Sequence, residues 1–297
     1  MQFSEIIGHD GIKQKLIQTV KENRVSHAQM FLGPGGSGKL ALAIAYAQYI
    51  NCNNRSDQDS CGVCPSCQQF AKLAHPDLHF SYPLVLKKDF QLSKEYIRLW
   101  REYLADKHYY PELVEWTAKM DSEKKQALIG VKECNEIIRS LSYKSYEGKY
   151  KVMIIWLAEH IYHAAAPKIL KILEEPPAKT LFILIAEKQE QIISTILSRT
   201  QIIKVPRLDD HSLLLILTAQ FGYPEENVQR VLKSASGDVN RALWMLEESL
   251  NSDFSASEFR EWMLMSFQGK YKELVNFVSK IARAPRTRQK QFLSYGL

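Results

Sequence analysis

Gln29-Met-Phe-Leu-Gly33-Pro-Gly-Gly-Ser-Gly-Lys39-Leu40 is the stretch on which the fold turns. A short apolar run, Gln29 to Leu32, passes into a glycine-rich turn, and Leu40 to Ile50 then places apolar residues at helical spacing. A Gly-x4-Gly-Lys segment that leaves a strand and opens a helix has the context of a phosphate-binding loop. The glycines let backbone N–H groups turn inward around phosphate oxygens, and the helix N-terminus adds a favourable dipole. The expected nucleotide- or anion-binding residues are therefore Gly33, Gly35, Gly36, Gly38 and Lys39, with Lys39 reaching the outer phosphates.

The loop is degenerate. Its last position calls for Ser or Thr, whose hydroxyl binds Mg²⁺, and holds Leu40, which cannot ligate a hard cation. A second apolar run, Lys151 to Ala158, has the form of the strand that ordinarily ends in acids. Trp156 and Leu157 stand where those acids belong, and Glu159 comes two residues later. Two independent losses in one reaction point to a fold that keeps its shape without hydrolysis; the alternative is that Glu159 substitutes after a shift of register.

Leu78 to Leu84, Val152 to Leu157, Leu181 to Ala186 and Gln201 to Val205 read as further strands, with helical patterns such as Ala165 to Glu174 between them. Short apolar strands alternating with helices predict an α/β fold with a mostly parallel sheet. After Pro206 the pattern is entirely helical. Asp209 to Phe221, Glu225 to Ala235 and Asp238 to Leu250 form a three-helix unit, broken at Gly222-Tyr223-Pro224 and Ser236-Gly237. Two more amphipathic stretches follow Phe254. The closing run Arg288 to Leu297 carries no helix stop signal, so the chain is expected to end inside a longer helical domain. Residues 87 to 127, dense in aromatics and charge, read as an insertion with helical spacing at Tyr96, Leu99, Trp100 and Leu104. It is expected to be a self-packed decoration at the sheet edge, the alternative being a contact for a partner or DNA.

The chain has 297 residues, 45% of them hydrophobic and 24% charged, which is ordinary globular composition. The formal charge of +6 permits nucleic acid as a partner without demonstrating it. No apolar run reaches the ~18 residues of a membrane span, and Met1 to Asp10 lacks the form of a signal peptide. The expected location is cytoplasmic.

Four of the five cysteines fall at Cys52, Cys61, Cys64 and Cys67. Four thiolates at this spacing suit a structural tetrahedral Zn²⁺ site. An iron–sulfur cluster also accepts four thiolates, but its ferredoxin spacings differ; a redox pair at Cys61 and Cys64 is the weaker alternative. A zinc-dependent nucleic-acid binder fits poorly, because 52 to 67 carries one basic residue, Arg55, against Asp57 and Asp59. Cys134 lies on the apolar face with Val131, Ile137, Ile138 and Leu141 and reads as core.

His27-Ala28, Phe31-Leu32-Gly33, the four cysteines and His75-Pro76-Asp77 occur in one order with Tyr146-Glu147-Gly148-Lys149-Tyr150-Lys151-Val152, Leu173-Glu174-Glu175-Pro176-Pro177 and Ile196-Leu197-Ser198-Arg199. Over residues 1 to about 250 this set resembles the delta-prime subunits of the bacterial DNA polymerase III clamp loader, which are AAA+ proteins. The resemblance implies an AAA+ α/β domain over 1–206 with a zinc module at 52–67 and the insertion at about 87–127. It further implies a three-helix lid over 207–250 and the start of a helical collar domain over 251–297.

It also implies a role. Motor (tau/gamma-type) and delta subunits would be the partners, with the sliding clamp and primed DNA reached through the complex, as part of the DNA polymerase III holoenzyme. Such a chain would not be an ATPase by itself, and its nucleotide binding would be weak or absent. Arg199 would act in trans, as an arginine finger on a neighbouring subunit's ATP; the alternative is a cation that only satisfies helix carbonyls. Thr200 departs from the family's Ser-Arg-Cys signature. Ala186-Glu187 replaces the polar sensor, and Asn240 stands where motor subunits carry Arg. These changes favour the non-hydrolysing subunit over the alternative, an ATP-hydrolysing motor-type subunit.

Overall fold

The computed structural model describes residues 1–86, 91–120, 126–250, 256–282, 289 and 292–293. The ends of the insertion at 87–90 and 121–125, and most of the closing run 288–297, lie outside the described residues. Two compact units are present, Met1–Arg241 and Ala242–Leu297.

The first unit begins with α1 (Asp10–Lys21), β1 (Ala28–Leu32), α2 (Lys39–Asn51), α3 (Pro65–Ala71) and β2 (Leu78–Ser81). The insertion contributes α4 (Ile97–Asp106) and α5 (Leu113–Lys119). Then come α6 (Val131–Ser142), β3 (Lys151–Trp156), α7 (Ala166–Glu174), β4 (Thr180–Ala186), α8 (Ser194–Leu197) and β5 (Gln201–Lys204). Beyond the sheet lie α9 (Asp210–Leu215), one π-helical turn (Ile216–Gln220), α10 (Glu225–Ala235) and α11 (Val239–Leu250). The last helices are α12 (Ala256–Phe267) and α13 (Tyr271–Ala282).

The sheet is parallel throughout, in the order β2-β3-β4-β1-β5. Strict alternation divides its side chains between two layers. Val152, Ile154, Trp156, Leu181, Ile183, Ile185 and Phe31 join α1, α2 and the insertion on one face. Met153, Ile155, Phe182, Leu184, Met30 and Leu32 join α6, α7 and α8 on the other. Burial on both faces explains why β3 and β4 read as continuous apolar runs. The predicted strand Leu78 to Leu84 is cut at Ser81, and Leu84 instead forms a bridge with Leu128 that pinches the stem of the insertion.

The insertion leaves the edge strand β2 and packs on itself, as its helical spacing predicts, and it also joins the core on one face of the sheet. Trp100, Tyr103 and Trp116 are fully buried. Trp100 packs on Tyr82 (ring centroids 4.3 Å), on Trp116 (4.9 Å) and on Trp156 at the end of β3 (5.1 Å). The Trp116 indole N–H donates to the Pro83 carbonyl at 2.9 Å, so its polar edge is satisfied. Aromatic area of this size stabilises most when it joins an existing core. Through Trp100 the insertion therefore reaches Trp156 at the C-terminal end of β3.

In the second unit Phe292 packs among Phe259, Trp262 and Phe277 with centroid separations of 5.3 to 5.5 Å. Phe267, Tyr271, Val275 and Val278 are exposed.

Candidate functional site

The glycine-rich loop leaves β1 and opens α2 as the sequence predicts. Gly36 (φ +62°) and Gly38 (φ +80°) occupy the left-handed region that favours glycine. Gly33 meets a different demand: a methyl group there would lie 1.9 Å from the Val205 carbonyl oxygen, because β5 runs out alongside the loop. Lys39 is buried. Its ammonium donates to the Pro34 carbonyl and, at 3.3 Å, to Ser37 Oγ. Burial lowers the Lys39 pKa, opposed by the carboxylates of Glu187, Glu159 and Asp238.

The surroundings of the loop were only partly legible in the sequence. A methyl group on Gly36 would lie 2.0 Å from Asp238 Oδ1, and one on Gly35 would lie 3.3 Å from Glu187 Oε1. A methyl group on Gly38 would meet the Tyr110 ring at 3.5 Å. The Val239 N–H donates to the Gly36 carbonyl at 3.2 Å. Burial raises the pKa of both Asp238 and Glu187. Glu112, two residues after Tyr110, is pushed up to about 7 by burial and then by the nearby charges of Glu115 and Asp238. Glu159, two positions late in the linear pattern, does come to this cluster: its Oε1 accepts from the Glu187 N–H at 2.9 Å. Asp238 accepts from the Arg241 N–H at 3.1 Å, as a residue capping α11 does. A Gly-Asp pair before a helix signals such a cap, but nothing local announces that it faces Gly36. Tyr110 and Glu112 carried no sequence signal at all.

Leu40 and Leu157 are buried apolar residues, and Trp156 closes the β3 end against Trp100. Aromatic core thus occupies the place where a Mg²⁺-binding carboxylate would project.

The four cysteines come together. Their sulfurs all lie within 4.8 Å of one another, with Cys52–Cys61 at 3.5 Å and Cys61–Cys67 at 3.9 Å. A tetrahedron with Zn–S bonds of ~2.3 Å has edges of ~3.8 Å, so the set fits a tetrathiolate ion site. The Cys61 N–H points at Cys52 Sγ (3.3 Å) and the Cys64 N–H at Cys61 Sγ (3.4 Å). The second of these bonds is the chief cause that lowers the Cys61 thiol to about 6. Cys52 ends α2, Gly62 turns the chain at φ +73°, and Cys64 precedes α3 with Pro65 at its first position. The four residues are thus able to hold a metal ion. Cys134 is buried in the core of the opposite layer, as expected.

Arg199 lies between α8 and β5. Since β5 runs parallel to β1, with Gln201 beside Gln29 and Lys204 beside Leu32, Arg199 sits at the edge of the sheet opposite the glycine loop. Its Nε donates to Glu174 Oε1 at 2.6 Å and Nη1 to the Thr195 carbonyl at 3.0 Å. The Leu-Glu-Glu-Pro-Pro and Ser-Arg-Thr segments therefore meet in one ion pair.

Among the described residues no helix is long and apolar enough to cross a membrane. A match to the family described as DNA polymerase III, delta subunit, covers residues 8–209. The DNA polymerase III subunit delta' of Escherichia coli is 24% identical over 80% of this chain and 61% of its own length. The subunit tau/gamma of Haemophilus influenzae is 22% identical over 84% of this chain, and the subunit tau of Bacillus subtilis is 22% identical over 95%. The chain spans 31% and 43% of the length of those two relatives. With a parallel sheet, a glycine loop in register and a family match across most of the first unit, the chain belongs to the DNA polymerase III delta subunit family of clamp-loader AAA+ proteins.

Proposed function

We propose that this chain is the non-hydrolysing delta-prime subunit of a DNA polymerase III clamp loader, helping to place the sliding clamp on primed DNA in the cytoplasm. One observation carries the reading: the strand end that would present Mg²⁺-binding acids presents Trp156, packed 5.1 Å from Trp100. Leu40 removes the hydroxyl ligand as well, so neither a held cation nor an activated water is available. The partners would be motor (tau/gamma-type) and delta subunits, with Arg199 offered to a neighbour's ATP. Cys52, Cys61, Cys64 and Cys67 would hold one structural Zn²⁺, and residues 207–250 and 251–297 would serve as lid and start of the collar. Relatives bearing both delta' and tau/gamma names keep a motor-type ATPase as the second reading, favoured only by Glu159, which reaches the loop's acidic cluster.

Steady-state phosphate release by the isolated chain, with Lys39→Ala as control, separates the two. Background-level release from both proteins is expected. Turnover that Lys39→Ala abolishes would establish the motor-type reading instead.

A further inference from the structure

We propose that Glu174 is a positioning residue for Arg199, a carboxylate rooted through α7 in the sheet that aims the guanidinium at a neighbouring subunit's ATP. The proposal rests on the reading of Arg199 as a group offered in trans. Three segments far apart in the chain meet at the edge of the sheet opposite the glycine loop. They are His27-Ala28 at the start of β1, Leu173-Glu174 at the end of α7, and Ser198-Arg199 before β5. Arg199 is the mobile partner. It stands in the connection between α8, a single turn of four residues, and β5, at the end of a long side chain with many rotamers. A group that must be ordered as the reaction occurs loses rate to that freedom.

Glu174 is the fixed partner. Pro176 restricts the residue before it, so α7 stops at Glu174 and Glu175 leaves the helix at φ −123° and ψ 70°. His27 ties the last turn to the sheet: its Nε2 donates to the Leu173 carbonyl at 3.0 Å. The His27 backbone is itself part of the sheet's pairing, its carbonyl accepting from the Phe182 N–H at 2.7 Å. Leu173 is buried in the layer formed by α6, α7 and α8. The backbone beneath the carboxylate is therefore held from both sides. The last turn of a helix is the negative end of its dipole, so a carboxylate there calls for a cation. Arg199 supplies it: Nε donates to Glu174 Oε1 at 2.6 Å, and Nη2 pairs with the same oxygen. Nη1 donates to the Thr195 carbonyl at 3.0 Å and to Ser198 Oγ at 3.3 Å. Glu174 thus grips the fork along its Nε edge, whereas Nη1 meets only neutral oxygens, which a charged phosphate can replace. Because both side chains are partly exposed, what the pair contributes is orientation rather than stability.

The test is DNA-stimulated ATP turnover by the reconstituted complex, with this chain carrying Glu174→Ala, Glu174→Gln, Arg199→Ala, or Glu174→Ala together with Arg199→Ala. Glu174→Ala is expected to lower kcat by ~3- to 10-fold, the range set by freeing one long side chain, with KM for ATP unchanged. Glu174→Gln, whose amide oxygen still accepts from Nε, is expected to recover most of the loss. The double variant is expected to turn over no more slowly than Arg199→Ala alone, because nothing is left to position. The melting midpoint of the isolated chain should be the same in all four. Turnover at or above the wild-type rate with Glu174→Ala, while Arg199→Ala is slow, would overturn the proposal and leave the reading of Arg199 standing. A further loss in the double variant would do the same. A fall in melting midpoint or in assembly that accounts for the lost turnover would make Glu174 a structural residue instead. Wild-type turnover with Arg199→Ala would overturn both the proposal and the reading beneath it.

Discussion

At the scale of single residues, Arg199 and Glu174 form an ion pair that adds little to the stability of the fold. Both are partly exposed, at 34% and 47% of their side-chain surface, so their pairing contributes at most ~1 kcal/mol to folding. Glu174 nevertheless fixes the plane of the guanidinium, and a planar fork is what a pair of phosphate oxygens accepts. If Arg199 acts on a neighbour's ATP, Arg199→Ala will leave the thermal midpoint and metal content unchanged. It will lower DNA-stimulated ATP turnover and clamp loading by the reconstituted complex; comparable fingers contribute ~10³ to 10⁵ in rate in GTPases. Arg199→Lys will rescue poorly, since an ammonium offers no parallel pair of bonds. Loading at the wild-type rate by the Ala variant would reduce Arg199 to a cation that satisfies the Thr195 carbonyl.

At the scale of elements, the cysteine loop is a small structure that α2 and α3 cannot organise alone. Between Cys52 and Cys67 the chain has few apolar groups to bury, and Val63 is 74% exposed. A bound ion would supply the missing cohesion, ~10 to 16 kcal/mol for zinc sites of this type at neutral pH. The loop in turn holds the N-terminus: Asp59 accepts from the Phe3 N–H at 3.0 Å and the Ser4 N–H at 2.8 Å. One zinc per chain is expected by elemental analysis. Cys64→Ser should raise proteolytic cleavage within 52–67 and loosen residues 1–6, while the sheet, with separate cores on both faces, survives. Iron, or a reduced and folded chain without metal, would reject the assignment.

At the scale of the whole molecule, the two units are built on different principles. Met1–Arg241 buries its apolar surface in two layers about a sheet. Along α12 and α13, by contrast, Phe267 is 92% exposed, Tyr271 79% and Val275 64%. An apolar face of this kind is suited to burial against other subunits. Phe267→Asp with Val275→Asp should leave the melting of the first unit unchanged. If the chain assembles as proposed, its co-elution with tau/gamma-type and delta subunits on size exclusion should fall. Unimpaired assembly would show that this face takes no part in it.

The strand–loop–helix start, the parallel sheet, the order of elements and the cysteine set were legible from residues alone, because each rests on local spacing: period two or continuous apolar runs for strands, glycines at a turn, thiols a few residues apart. The sequence also exposed the losses at Leu40, Trp156 and Leu157, which are single positions in a local pattern. What occupies the space those losses leave was decided only by tertiary structure. Trp100 and Trp156 are 56 positions apart, and Tyr110 and Asp238 are 128 positions apart, yet the fold sets each pair around one site. A helix-period aromatic pattern says that one face is buried without saying against what. The packing of Trp100 on Trp156 at the end of β3 joins a charged and aromatic insertion to the core.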